Sequence, residues 1–128
     1  MPKIKIVAFQ AEIFHGALNY AKERHPNEIL LLLRGKIQDE TLKVEEFVVP
    51  PFAVGGEGFA SFSHWFLPYD PSIIGTLHSH PSGSLKPSIE DLNHFYGQIM
   101  VILAYPYESE SNAAVYNRNC KPLKIEIE

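Results

Sequence analysis

The chain has 128 residues, of which 45% are hydrophobic, 20% charged and 12% aromatic, a balance that suits one globular domain with one core and excludes disordered, collagen-like and coiled-coil organisation. Eleven basic against fifteen acidic residues give a net charge of −4 with no dense Lys/Arg cluster, so a nucleic-acid surface is not expected. The single cysteine, Cys120, excludes an internal disulfide and a cysteine-built zinc knuckle. No apolar run is long enough to span a bilayer and the N-terminus lacks a signal-peptide core, so the expectation is a cytoplasmic protein that engages no membrane.

In chain order, Ile4 to Val7 reads as a strand. Phe9, Ile13, Phe14, Ala17, Leu18 and Ala21 then recur at helical spacing until Pro26. Glu28 leads into the continuous apolar run Ile29 to Leu33, closed by Gly35, which suits a strand covered on both faces, and Leu42 to Val49 reads as its neighbour. A glycine- and proline-rich loop follows from Pro50 to Gly58, and Phe59 to Phe66 alternates loosely as a further strand. Ser72 to His78 is strand again. Pro81 to Pro87 is loop, and Ser88-Ile89-Glu90-Asp91 has the form of a capping box opening a helix to about Tyr96. Met100 to Tyr105 reads as a buried strand, and Ala113 to Asn117 with Leu123 to Ile127 as a hairpin turning near Cys120. Strands outnumber helices, and runs of strands separate the helices, which points to an α+β fold with a mixed sheet.

The chemistry concentrates at His78-Ser79-His80. Residues i and i+2 of a strand share a face, so both imidazoles can reach one metal ion, and Asp91 in the first turn of the next helix can bring a carboxylate back to them. Two histidines and one aspartate leave a fourth tetrahedral position for water, the mark of catalytic rather than structural zinc. Each part alone has a plainer reading: His-x-His is often only a strand end, and Asp91 is explained by capping with Ser88. His94, three residues further on, shares the helix face and is an alternative ligand. His15, His25 and His64 have no partner pattern. The Ser82 to Lys86 loop is a candidate anion cradle without the ending of a phosphate loop.

Taken together, the spacing His-x-His-Pro, seven residues, Ser-x-x-Asp over Gly75 to Asp91 resembles the JAMM signature of MPN-domain metalloproteases. The resemblance implies a single MPN domain over residues 1–128, with a curved mixed sheet flanked by two or three helices in cytidine-deaminase-like layering. It implies Zn2+ as cofactor, His78, His80 and Asp91 as its ligands, Glu28 as general acid/base and Ser88 as the group that steadies the oxyanion. The implied reaction is cleavage after the Gly-Gly tail of a ubiquitin-like or sulfur-carrier protein, in the manner of the prokaryotic and archaeal members. Such a tail is expected to lie extended along an exposed sheet edge, with Phe59 and Phe62 as candidate substrate contacts at the lip of its groove. Leu31 departs from the family, whose members commonly carry glycine there, and extra bulk beneath the site is expected. The same segment also resembles the RadC-type MPN domain of obscure role, and many MPN domains are non-catalytic interaction modules. The sequence leaves the oligomeric state open.

Overall fold

The computed structural model describes residues 3–50, 54–56, 59–61, 70–93 and 95–128, with backbone alone for 54–56 and 59–61. Its elements are β1 (Ile6–Phe9), α1 (Ala11–Arg24), β2 (Leu30–Gln38), β3 (Thr41–Val48), β4 (Val54–Gly56), β5 (Phe59–Ser61), β6 (Ile73–His80), α2 (Ile89–Asn93), β7 (Ile99–Ala104), β8 (Ala113–Asn117) and β9 (Pro122–Ile127). A 3-10 turn at Glu110–Asn112, capped reciprocally by Ser109 and Asn112, leads into β8. Among the described residues no helix is long and apolar enough to cross a membrane.

Seven strands form one mixed sheet in the order β1-β3-β2-β6-β7-β8-β9, and parallel pairing of β1 with β9 closes it into a barrel. The expected α+β mixed sheet and its curvature are both present, and the curvature goes as far as closure. This shortens the lateral edge along which a substrate tail was expected to add, because every strand of the main sheet has two neighbours over part of its length. Unpaired stretches remain on the separate two-stranded β4–β5 sheet and at residues 45–48 of β3, which run past the pairing with β1.

The two faces of the sheet differ. On the inner face Leu31, Leu33, Leu77, Val101, Leu103 and Val115 join Phe14, Ala17, Leu18 and Ala21 of α1 in one core, so the barrel wraps the apolar stripe of the first helix. On the outer face lie Leu30 and Leu32, their partners His78 and Thr76, and the next row, Ile102 and Met100. Leu31 is wholly buried in the inner core and paired with Leu77, on the opposite side of β2 from the histidines. The expected bulk beneath the site is therefore bulk behind it. Gly75 is demanded by the packing of β6 on β7, since a Cβ there would run into the backbone of Ile99.

Several boundaries move, including that of β2, which runs on past Gly35 to Gln38, and three move for a clear tertiary reason. The first strand is Ile6–Phe9 rather than Ile4 to Val7, because Phe9 pairs with both Val44 and Ile127 and belongs to the sheet, not to the helix. β6 continues through His80, held by pairing with Ala104. The helix expected to run to about Tyr96 ends at Asn93. By Gly97, at φ +82°, the chain has returned to the backbone of Ile74, and Gln98 N–H donates to Ile74 O at 2.8 Å, so it must already be extended. The strand expected at Phe59 to Phe66 is present as Phe59–Ser61, and its remainder lies outside the described residues, as do Phe62, His64 and His94 and the side chain of Phe59.

Candidate metal centre and catalytic cleft

The site forms where parallel strands β6 and β7 end and the chain leaves β6 for the crossover that carries α2, the end of such strands at which ligands bind in layered α/β sheets. His78 and His80 alternate with Ser79, so both rings project from the outer face while Ser79 points into the core. Asp91 stands in the first turn of α2 and returns toward them. Ser88 Oγ accepts from Asp91 N–H at 3.0 Å, and Ser88 N–H donates to Asp91 Oδ2 at 2.9 Å. That is the reciprocal capping the sequence predicts, and it fixes the carboxylate's direction.

All three side chains are buried, with His78 at 4%, His80 at 8% and Asp91 at 9% exposure, an unusual place for a carboxylate unless it is paired. His80 Nε2 is 2.9 Å from Asp91 Oδ2, and His78 Nδ1 is 3.7 Å from Asp91 Oδ1. The other nitrogens are engaged as well: His80 Nδ1 is 2.9 Å from Ser84 O, and His78 Nε2 is 3.3 Å from Thr76 Oγ1. A carbonyl and a carboxylate can only accept, so with both bonds made His80 carries both protons. Burial opposes that charge, but the Asp91 carboxylate and the Ser84 carbonyl outweigh it and hold the imidazole above its usual range. Burial likewise opposes the charge on Asp91, and the bonds from His80 and Ser88 override it, keeping the carboxyl well below the ordinary carboxylate range.

The donor set suits a divalent cation. Neighbouring ligands of a tetrahedral zinc ion stand about 3.3 Å apart, and the separations of 2.9 and 3.7 Å lie on either side of that. With Nδ1–H on the Ser84 carbonyl, His80 would offer Nε2 to the ion once that nitrogen gave up its proton, the usual outer-shell arrangement of a metal-bound imidazole. As they stand His80 and Asp91 hydrogen-bond to each other, and among the described residues no group of three or more His, Cys, Asp or Glu side chains is spaced to hold a metal ion.

Glu28 lies just before β2 and lines, together with His80, Ser88 and Asp91, a cleft of about 640 Å³. Ser82, Ser84 and Lys86 of the proposed anion loop line this same cleft rather than a separate one. Burial raises the Glu28 carboxyl above its ordinary value; the nearby His80 charge opposes this, while Asp91 and Glu90 reinforce it. A carboxylate so placed is primed to hold a proton reversibly.

Residues 10–117 match the family of prokaryotic homologues of the JAB domain. This chain belongs to that family. A probable metalloprotease of Haloferax volcanii is 32% identical over 110 residues, spanning 80% of this chain and 68% of the relative. Among solved structures, a JAB1/MPN domain protein from Archaeoglobus fulgidus is 29% identical with a TM-score of 0.65, covering 97% of this chain and 98% of that one. A structure described as a JAMM metalloprotease-like zinc site in the proteasome and signalosome is 31% identical with a TM-score of 0.66, covering 98% of both chains. A Desulfitobacterium hafniense protein shares the fold at 16% identity and a TM-score of 0.64.

In this JAB domain the structure brings Glu28, His78, His80, Ser88 and Asp91 to one place. The sequence did not reveal what holds them there. Ser79 Oγ accepts from Ile29 N–H at 2.8 Å, while Ser79 N–H donates to Ile29 O at 3.2 Å, so the residue after Glu28 is tied twice to the residue between the histidines. A wholly buried serine on an inward-facing strand position was the available signal, since a polar side chain in a core needs a partner. The Ser84 carbonyl gave no signal at all, because any residue supplies one.

Proposed function

We propose that this JAB-family domain is a zinc-dependent peptidase or isopeptidase that cuts after the Gly-Gly tail of a ubiquitin-like or sulfur-carrier protein. The observation that carries the reading is the convergence of a buried two-histidine, one-aspartate set with a carboxylate of raised proton affinity: Glu28, His80 and Asp91 line one cleft, and His78 lies behind it against Asp91. The likeness to a probable metalloprotease and to a JAMM zinc site supports it. An interaction module would have no use for that arrangement, since burying these groups costs free energy that packing alone does not need.

His78, His80 and Asp91 would hold the ion, which when bound supplies Lewis-acid polarisation of the scissile carbonyl and makes water a better nucleophile at neutral pH. Glu28 takes the proton of the attacking water and returns it to the departing amine, so the carboxyl ends the cycle as it began. Ser88 accepts from Asp91 N–H, which leaves its own O–H proton to donate to the carbonyl oxygen as negative charge builds there. A tail ending in two glycines suits the cleft because it lacks side chains that would hold the scissile carbonyl away from Ser88 and Glu28.

The test is to incubate the protein with a panel of ubiquitin-like and sulfur-carrier fusions, with added zinc or with chelator. The expected result is cleavage directly after the second glycine, abolished by chelation and by Glu28→Gln. Cleavage that survives chelation, or none on any fusion with zinc bound, overturns the proposal.

A further inference from the structure

His80 is oriented by a backbone carbonyl, and the segment that supplies it is itself held from a distance. The crossover from β6 to β7 runs over the outer face of the sheet, and its first leg is short and turn-rich. Gly83 N–H donates to His80 O at 3.1 Å, Ser84 N–H to Ser82 Oγ at 3.3 Å, and Lys86 N–H to Ser84 Oγ at 3.2 Å. These bonds shape the loop but do not attach it to the sheet beyond His80. Tyr116 of β8 makes that attachment: its phenol donates to Leu85 O at 2.6 Å, across 31 positions of sequence.

The register explains why Tyr116 can reach. Thr76 pairs with Met100 and Met100 with Tyr116, so Tyr116 lies on the histidines' face of the sheet, in the row of Thr76 and two strands away. Arg118, two residues on, does the same for the second leg, donating to Gly97 O and lying over the Phe95 ring. Tyr116 of β8 and Arg118 just after it thus hold both legs of the crossover that carries Ser84, Ser88 and Asp91.

We propose that Tyr116 is a positioning residue for the metal centre: by holding Leu85 it fixes the adjacent Ser84 carbonyl, which keeps the His80 proton on Nδ1 and presents Nε2 to the ion. This rests on the metal-site reading above. Tyr116 is not among the residues that line the cleft, and its bond to Leu85 reaches His80 through the adjacent Ser84 backbone.

The experiment compares wild type, Tyr116→Phe, Tyr116→Leu and Asp91→Ala by zinc competition against a chromophoric chelator, by melting of the metal-free proteins, and by 15N NMR of the His80 ring in the zinc-loaded state. Outer-shell partners of metal ligands are worth about 10- to 100-fold in affinity, so Tyr116→Phe is expected near the lower end, about tenfold weaker. Its melting temperature should stay within a few degrees of wild type, and the His80 Nδ1–H, no longer held by the Ser84 carbonyl, should exchange faster with solvent. Tyr116→Leu should shift affinity and exchange in the same direction even if it melts earlier. If Asp91→Ala loses zinc while both Tyr116 variants bind it within twofold of wild type with unchanged His80 Nδ1–H exchange, the role of Tyr116 is overturned and the metal site stands. If Asp91→Ala also binds zinc as wild type does, the metal-site reading itself fails.

Discussion

One strand, β6, presents two surfaces built for opposite ends. Its inner side, Gly75, Leu77 and Ser79, is closed into the core around α1, whereas its outer side, Thr76, His78 and His80, is equally hidden from solvent yet almost wholly polar. The inner side is stabilised by removing apolar area from water; the outer side tolerates burial only because each ring nitrogen has a partner. The difference teaches that stability and chemistry are separated by a two-residue alternation rather than by distance. Ser79 is where the separation breaks down, a polar group on the packing side that ties the segment carrying Glu28 to the strand carrying the histidines.

Substitutions on the two sides should therefore fail differently. His80→Ala should abolish zinc binding and activity together while leaving a folded barrel, checked by metal content and circular dichroism. Leu77→Ala, on the other side, should cost about 2–5 kcal/mol of stability by opening a cavity, yet retain zinc at saturation, read by denaturant unfolding and metal titration. Glu28→Gln should keep zinc and lose at least about a hundredfold in kcat. Ser79→Ala should blur the distinction: leaving Ile29 N–H buried without its side-chain acceptor costs about 1–3 kcal/mol, and the loosened Glu28 should lower kcat with zinc affinity unchanged.

The smallest effect concerns pH. The Glu28 carboxyl is raised in the folded state, chiefly by burial, so its ionisation opposes folding above that raised value and ceases to matter below the ordinary value of 4.5. Glu28→Gln should thus melt slightly higher than wild type at pH 7 and no higher at pH 4, in metal-free protein. Acting as a base, Glu28 must be ionised, so activity should fall as acid protonates it. An acid limb that Glu28→Gln leaves in place belongs to another group.

Much of the site was legible because its function depends on side-chain identity at fixed local spacing. His-x-His follows from strand alternation and Ser-x-x-Asp from capping geometry, both set within a few residues. The path of the crossover was not legible: the Ser84 carbonyl has no residue signature, and the reach of Tyr116 depends on β7 lying between β6 and β8. The fold divides similarly. Leu30 to Leu33 announced a strand covered on both faces, but nothing local told that Leu31 faces away from the histidines or that Phe9 belongs to a strand rather than to α1. Those facts are set by β1 lying between β3 and β9, pairings separated by many residues.

That closing pair has a consequence for how the molecule comes into being. Among the described strands β1 comes first and β9 last, so β1 cannot acquire its second neighbour until β9 has left the ribosome. Contacts so distant along the chain are slow to form, and the half-finished sheet carries an open flank while it waits. Deleting residues 122–127 would therefore do more than shorten the chain: it would freeze the protein at that vulnerable stage, prone to clumping during synthesis although Glu28, His78, His80, Ser88 and Asp91 are all present.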